Sequence, residues 1–231
     1  MKLPTVLDLL KAGVHFGHQK GKWHPKAKDF IFIERGGVHI IDLEKTLERL
    51  EIAVNKIQKI VSDGGLVLFI GTKRQGQDLI KQYAEACNMP YINQRWVGGF
   101  FTNFANVSKL IKKYRSLKEQ QASGALQKYT KNEQGKIAKE VEKLETIVGG
   151  LGDLTKIPDA IFVLDAKKEK TAVAEAKKKR VPIFGFCDTN TNPELFNYPI
   201  PSNDDAVNSI NLILKTISDS IVEAKSNKSA A

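Results

Sequence analysis

At 231 residues, with 42% hydrophobic and 27% charged positions, the chain is long enough to bury a full core, and its composition excludes wholesale disorder. Its 36 Lys and Arg against 26 Asp and Glu leave a formal net charge of +10. That excess favours a polyanionic partner, because neutralised phosphates release counterions; charge alone leaves a basic soluble enzyme equally open. No run approaches the ~18 apolar residues of a membrane span. The apolar run in the opening MKLPTVLDLLKAG is too short for a secretory signal and is interrupted by Asp8. Cys87 and Cys187 read as lone buried thiols, which fits a cytosolic protein or one made inside an organelle.

In chain order, residues 5–12 predict a short helix capped by Thr5 and stopped at Gly13. HFGHQKGKWHPKAK (15–28) follows and reads as a contact loop, with Lys20, Lys22, Trp23 and Lys26 on it and Pro25 stiffening it. FIFIER (30–35) and VHIID (38–42) flank Gly36-Gly37 as a hairpin. From Leu43 the spacing turns helical, and Leu43, Leu47, Leu50, Val54, Ile57 and Val61 form one apolar stripe. LVLFIG (66–71) is a strand buried on both faces, then a helix at about 75–87 and a short strand PYIN (90–93). The rhythm returns with AIFVLD (160–165), a charged helix (167–179), VPIFGFCD (181–188) and a last helix from about 204 to 224. Strands alternating with helices predict a doubly wound, mostly parallel α/β sheet with helices on both faces.

The middle departs from that rhythm. Phe104, Val107, Ile111, Tyr114 and Leu117, and then Ile137, Val141, Leu144 and Val148, recur at three-and-four spacing on charged helices joined by SGALQKYTKNEQG. Such narrow seams predict an inserted antiparallel two-helix coiled-coil hairpin, with a pair of packed surface helices as the plainer alternative. The expected division is an α/β domain of residues 1–103 and 150–224, the hairpin at 104–149, and a flexible tail at 225–231.

GTKRQGQD (71–78) places Gly71 and Gly76 at Walker-A spacing, but Gln77-Asp78 replace the Lys-Ser/Thr that reaches phosphates and Mg²⁺. Lys73 and Arg74 are left to meet a nucleic-acid backbone or to keep a turn solvated. In QRWVGGFFTNF (94–104), Arg95 and Trp96 offer a cation and a stacking surface. Gly98 and Gly99 allow close backbone approach, and Thr102 and Asn103 can donate to phosphate oxygens. The competing reading buries Trp96, Phe100 and Phe101 around a tight turn. KKYRSLK (112–118) on the hairpin is a candidate phosphate rail, with Lys109, Lys112 and Lys113 on it.

His15-x-x-His18 has no cysteine or carboxylate close in sequence, so a local zinc site is disfavoured, and His15 and His39 are expected in the core. Asp188, at a strand's carboxyl end, could instead meet Asp204 and Asp205 at the start of the last helix, with His18 completing a mixed nitrogen and oxygen set for a divalent ion, zinc or magnesium. The alternative has Asp204 as a helix cap and Asp188 starting a turn. No G-x-S-x-G, H-E-x-x-H or nucleophilic-cysteine context is present. A nucleotide- or metal-using enzyme and a free regulatory RNA-binding protein are the rival functional readings.

KAGVHFGHQ, WHPK, HIIDLEKT, GTKRQ, RWVGGFFTN, DTNTNP and IPSNDDA, in this order from about residue 7 to 222, resemble the signature stretches of the bacterial-type S-two family of small-subunit ribosomal proteins. Three positions depart from it: His24 stands for the usual Asn, Ser202 for the usual Gly, and Phe100-Phe101 for Met-Leu. The resemblance implies a structural, non-enzymatic role in translation, with no cofactor required, no membrane and no small-molecule substrate. Its implied partners are small-subunit rRNA, neighbouring small-subunit proteins and ribosomal protein S-one, which the family helps to dock. The expected mode is readout of RNA shape and backbone, and the expected place is the small subunit of a cytoplasmic or organellar ribosome.

Overall fold

A computed structural model describes residues 3–152 and 154–229. The first helix, α1 (Val6–Lys11), opens on a reciprocal cap in which the Thr5 hydroxyl accepts the Asp8 N–H and the Asp8 carboxylate accepts the Thr5 N–H. Three short strands follow, β1 (Phe16–Gln19), β2 (Ile31–Arg35) and β3 (Val38–Ile41), forming an antiparallel sheet in the order β1-β3-β2. Gly36 and Gly37 join β2 to β3 with φ of 60° and 77°, a turn that asks for positive φ at both central positions. The hairpin is therefore as expected. β1, by contrast, occupies part of the stretch read as a contact loop.

The helix α2 (Leu43–Ser62) is capped by the Asp42 carboxylate, which accepts the N–H groups of Glu44 and Lys45. Its Leu50, Ala53, Val54, Ile57 and Val61 are buried. The main sheet comprises β4 (Val67–Ile70), β5 (Tyr91–Ile92), β6 (Ala160–Val163), β7 (Ile183–Cys187) and β8 (Tyr198–Pro201). All its pairings are parallel and its order is β5-β4-β6-β7-β8. Every residue of β4, β6 and β7 is buried, which is why those strands are unbroken apolar runs rather than alternating ones.

Alternate side chains feed two cores. Val67, Phe69, Phe162, Phe184 and Phe186 pack beneath α2, α3 (Gln77–Ala86) and α7 (Val207–Ser229). Leu68, Ile70, Ile161, Val163 and Ile183 pack on the other face, with Phe100, Phe101, α6 (Lys170–Lys178) and the buried positions of α4 (Phe104–Ala122) and α5 (Lys131–Val148). The sheet is thus doubly wound with helices on both faces. Val107, Ile111, Tyr114, Val141, Leu144 and Val148 are buried in the second core, so the α4–α5 pair is rooted on the sheet, and Leu117 and Ile137 continue the contact only half-buried.

Two segments differ from expectation. β8 carries Pro199 and Pro201, which argue against a strand; as an edge strand paired only with β7 it tolerates their missing donors. α7 runs through Ser229, into the stretch expected as a flexible tail, and Lys225 on it donates to the carbonyls of Cys87 and Asn88.

Chain order reverses direction across the sheet between β4 and β6, and the carboxyl ends of the strands at such a switch point are the usual ligand edge of an open α/β sheet. The same edge receives the loops after every strand of the main sheet. These carry Lys73 and Arg74 after β4, Arg95 and Trp96 after β5, Asp165 after β6, Asp188 after β7, and Asp204 and Asp205 after β8. β1 is tied there as well: the His18 N–H donates to the Thr189 hydroxyl at 2.9 Å, and the His24 N–H to the Thr189 carbonyl at 2.8 Å.

Candidate nucleic-acid interface

The carboxyl edge holds a cluster of acidic and basic side chains rather than a phosphate cradle. A Cβ on Gly76 would lie 2.2 Å from Leu164 Cδ2, and one on Gly71 would lie 2.8 Å from Ile80 Cγ1 and 3.0 Å from Leu164 Cβ. Both glycines let the β4–α3 turn pack closely on Leu164, which accounts for their spacing without a nucleotide.

Lys73 reaches into this edge, only 14% exposed, and donates to Asp204 Oδ1 at 2.7 Å and to Asp205 Oδ1 at 2.8 Å, with Asp165 Oδ2 at 3.9 Å. Lys73, expected either to meet a nucleic-acid backbone or to keep a turn solvated, is thus engaged by carboxylates of its own chain. Its charge is neutralised internally by carboxylates from the ends of two other strands, which no local sequence signal reveals. Burial works against its ammonium, but Asp204 and Asp205 outweigh it and raise its pKa.

His18 stands beside the same carboxylates, its Nδ1 3.1 Å from Asp188 Oδ1 and its Nε2 3.3 Å from Asp205 Oδ2. The hydrogen bond with Asp188 raises its pKa. Asp204 is 2% exposed, and burial, with the Asp188 charge next, pushes its carboxyl up to about 7. The predicted quartet of His18, Asp188, Asp204 and Asp205 is thus brought to one place. Ligand atoms of the first three lie within 4.8 Å of one another. Asp188 also accepts the Thr189 N–H at 2.5 Å and the Asp204 N–H at 3.3 Å.

Other cations expected at the interface are exposed, some of them paired. Arg74 and Arg95 are exposed. Lys22 is exposed, Lys20 pairs with Glu34 at 2.8 Å, and Lys26 pairs with Glu194. Trp23 is 37% exposed and packs against buried His39 with ring centroids 5.5 Å apart, while His15 is half-buried against Phe16. His24 Nδ1 accepts the Lys26 N–H at 3.2 Å and caps the short 3-10 turn Pro25–Phe30. An acceptor at a helix start is also what asparagine supplies, so the substitution at this position preserves a local function. Ser202 is buried, its hydroxyl donating to the Ile200 carbonyl at 2.9 Å.

The 94–104 loop is organised by a residue that sequence reasoning missed. The Glu175 carboxylate of α6 accepts the Trp96 indole N–H at 3.2 Å, the Gly99 N–H at 2.8 Å, the Phe101 N–H at 3.0 Å, and the Thr102 N–H and hydroxyl at 3.4 Å each. Partial burial disfavours its ionised form, but these donors outweigh it and hold the carboxyl below its usual range. Trp96 packs on Phe100 and Phe101 at centroid distances of 5.1 and 5.8 Å, and both phenylalanines are buried. Gly99, expected to shape the loop, and Thr102, expected as a donor to phosphate, both give their donors to Glu175. Trp96 is half-buried, nearer the packed reading than an open stacking platform. Arg95, Gly98 and Asn103 remain exposed. On α4, Lys109 and Lys112 are exposed and Lys113 pairs with Glu140 on α5.

No helix among the described residues is long and apolar enough to cross a membrane. The sequence profile of the family described as Ribosomal protein S2 matches residues 9–224. A protein of Dehalococcoides mccartyi named small ribosomal subunit protein uS2 is 48% identical over 225 residues, covering 97% of this chain and 92% of the relative. One of the same name from Coprothermobacter proteolyticus is 46% identical over 228 residues, covering 99% and 85%. On these matches the chain belongs to the ribosomal protein S2 family, structural constituents of the small ribosomal subunit that work alongside rRNA and other ribosomal proteins and are not enzymes.

Proposed function

We propose that the chain holds small-subunit rRNA against the carboxyl edge of its main sheet, reading backbone and shape. The observation that carries this is the separation of charge at that edge: Lys73 is paired with buried Asp204 and half-exposed Asp205, whereas Arg74, Arg95 and Lys22 stay exposed. Guanidinium groups suit phosphate through bidentate hydrogen bonding. Trp23, Lys20, Lys26, Gly98 and Asn103 extend the contact, and Lys109, Lys112 and Lys113 carry it onto the α4–α5 pair, which acts as a projecting arm. Replacing Arg74 and Arg95 together by alanine should weaken rRNA binding about tenfold or more. The same double change at Lys59 and Lys156, which precede β4 and β6 at the opposite edge, removes equal charge and should leave binding within about twofold. Equal losses from the two pairs would sink the assignment of this edge.

Docking of ribosomal protein S-one is the finer protein contact proposed for this family member. An apolar row crosses the small antiparallel sheet, where Phe16 pairs with Ile40 and Ile40 with Ile33, and Phe16 and Ile33 are 50% and 54% exposed. An exposed apolar row on a basic protein suits a protein partner better than RNA. Phe16→Ser with Ile33→Ser should reduce S-one retention on small subunits without reducing rRNA binding.

The quartet of His18, Asp188, Asp204 and Asp205 has the donor set for a divalent ion, imidazole favouring zinc over magnesium. Both His18 ring nitrogens face carboxylate oxygens, contacts that imidazolium satisfies with its two N–H groups, so a metal ion bound here would displace a ring proton. A bound cation would tie β1 to the ends of β7 and β8. Zinc chloride should raise the melting temperature of the protein and magnesium chloride should not; a His18→Ala variant that keeps the full zinc response would contradict the site.

A further inference from the structure

We propose that Glu175 is a positioning residue for RNA binding: it touches no RNA, yet it fixes the 94–104 loop in the shape from which Arg95 and Asn103 act. The proposal rests on the reading of that loop as an RNA contact. Five donors from four loop residues converge on one carboxylate, with Oε1 taking Trp96 and Gly99 and Oε2 taking Phe101 and Thr102. Such convergent backbone donors form a nest of the kind that binds an external anion; here the anion belongs to the chain. The loop's phosphate-like subsite is thus filled from within, and RNA is left to the outward face. Gly99, at φ 84°, gives the turn that aims its N–H at Glu175, a conformation other residues adopt with strain. Phe100 and Phe101 anchor the loop in the second core, which also takes Ala172, Val173 and Ala176 of α6, so the helix that carries Glu175 and the loop share one packed base. A loop ordered beforehand does not lose that freedom on binding, which raises affinity without adding a contact.

Charge and positioning predict opposite signs. Glu175→Gln removes a negative charge from a basic protein, so electrostatics alone predicts equal or tighter rRNA binding. Positioning predicts weaker binding, because the amide NH₂ must face N–H donors at one of the two oxygens. Glu175→Asp keeps the charge but retracts the carboxylate by one methylene and should weaken binding in the same direction.

The test measures small-subunit rRNA affinity for the full chain and for the Glu175→Gln, Glu175→Asp and Arg95→Ala variants. Thermal unfolding confirms that each is folded, and the near-UV signal of Trp96 is recorded in a Trp23→Phe background. The expected result is a loss of about tenfold for both Glu175 variants, a weakened Trp96 signal, and a loss for Arg95→Ala with the Trp96 signal intact. Should Arg95→Ala bind weakly while both Glu175 variants bind at least as tightly as the parent, the positioning role is overturned and the loop contact stands. Unchanged binding in all three variants overturns both.

Discussion

Lys73 and Asp204, 131 positions apart, meet at 2.7 Å in a place where the carboxylate is 2% exposed and the ammonium 14%. Lys73→Met leaves Asp204 buried without its counter-charge and Asp205 without its near partner. Breaking a buried pair from one side costs about 3 kcal/mol, discounted to about 2 here because Lys73 and Asp205 keep some water contact. Urea unfolding at about pH 9, above the Asp204 value near 7 and below the raised Lys73 value, should read that loss, and adding Asp204→Asn should recover much of it. Additive losses would mean that the pair carries no coupling.

Gly185 and Gly76 separate backbone from side-chain crowding. A Cβ on Gly185 would stand 2.1 Å from the Val163 carbonyl oxygen, across the β6–β7 pairing, whereas on Gly76 it would meet the far end of the Leu164 side chain, which can turn aside where a carbonyl cannot. Gly185→Ala is expected to cost about 3 kcal/mol and Gly76→Ala about 1 kcal/mol in denaturant unfolding. Gly76→Ala should leave rRNA affinity unchanged; a large affinity loss would give that turn a ligand role after all.

The two thiols should be inert in the native state. Burial pushes Cys87 up to about 11, and burial with the Asp188 charge raises Cys187 further, so neither supplies thiolate at neutral pH. Iodoacetamide at pH 7.5 should label neither until denaturant is added. Rapid native labelling of Cys187 would show that the β7 end opens to solvent.

Glu175 also predicts an acid response. Its carboxyl lies below the ordinary 4.5 in the folded chain, so its stabilising contribution is fully present above that value and is lost as pH falls through the lower folded value. Between about pH 5 and pH 3, unfolding free energy should therefore fall more steeply in the parent than in Glu175→Gln. Parallel curves would remove the carboxylate from the loop's energetics.

The main sheet was legible because β4, β6 and β7 are buried on both faces and so appear as continuous apolar runs, and α2 because one stripe faces the core. β1 was not, since FGHQ has one apolar side chain and no alternation, and one of its ties, from the His18 N–H to the Thr189 hydroxyl, reaches far along the chain. β8 was hidden by its prolines. Among site residues, the aspartates could be gathered from topology alone, because strand ends of a parallel sheet share an edge. Lys73 and Glu175 could not be assigned, because their partners lie in distant elements and a Lys in a turn or a Glu on a charged helix has the same local pattern whether solvated or engaged.

The most direct test of the proposed interface is the salt dependence of rRNA binding by the parent and by Arg74→Ala/Arg95→Ala. Each phosphate contact contributes roughly 0.7–0.9 to the slope of log K against log salt. The double variant should therefore show a slope shallower by about 1.5, with the Lys59→Ala/Lys156→Ala control parallel to the parent. Parent and double variant running parallel, with only the control shallower, would place the RNA on the opposite edge and contradict the account.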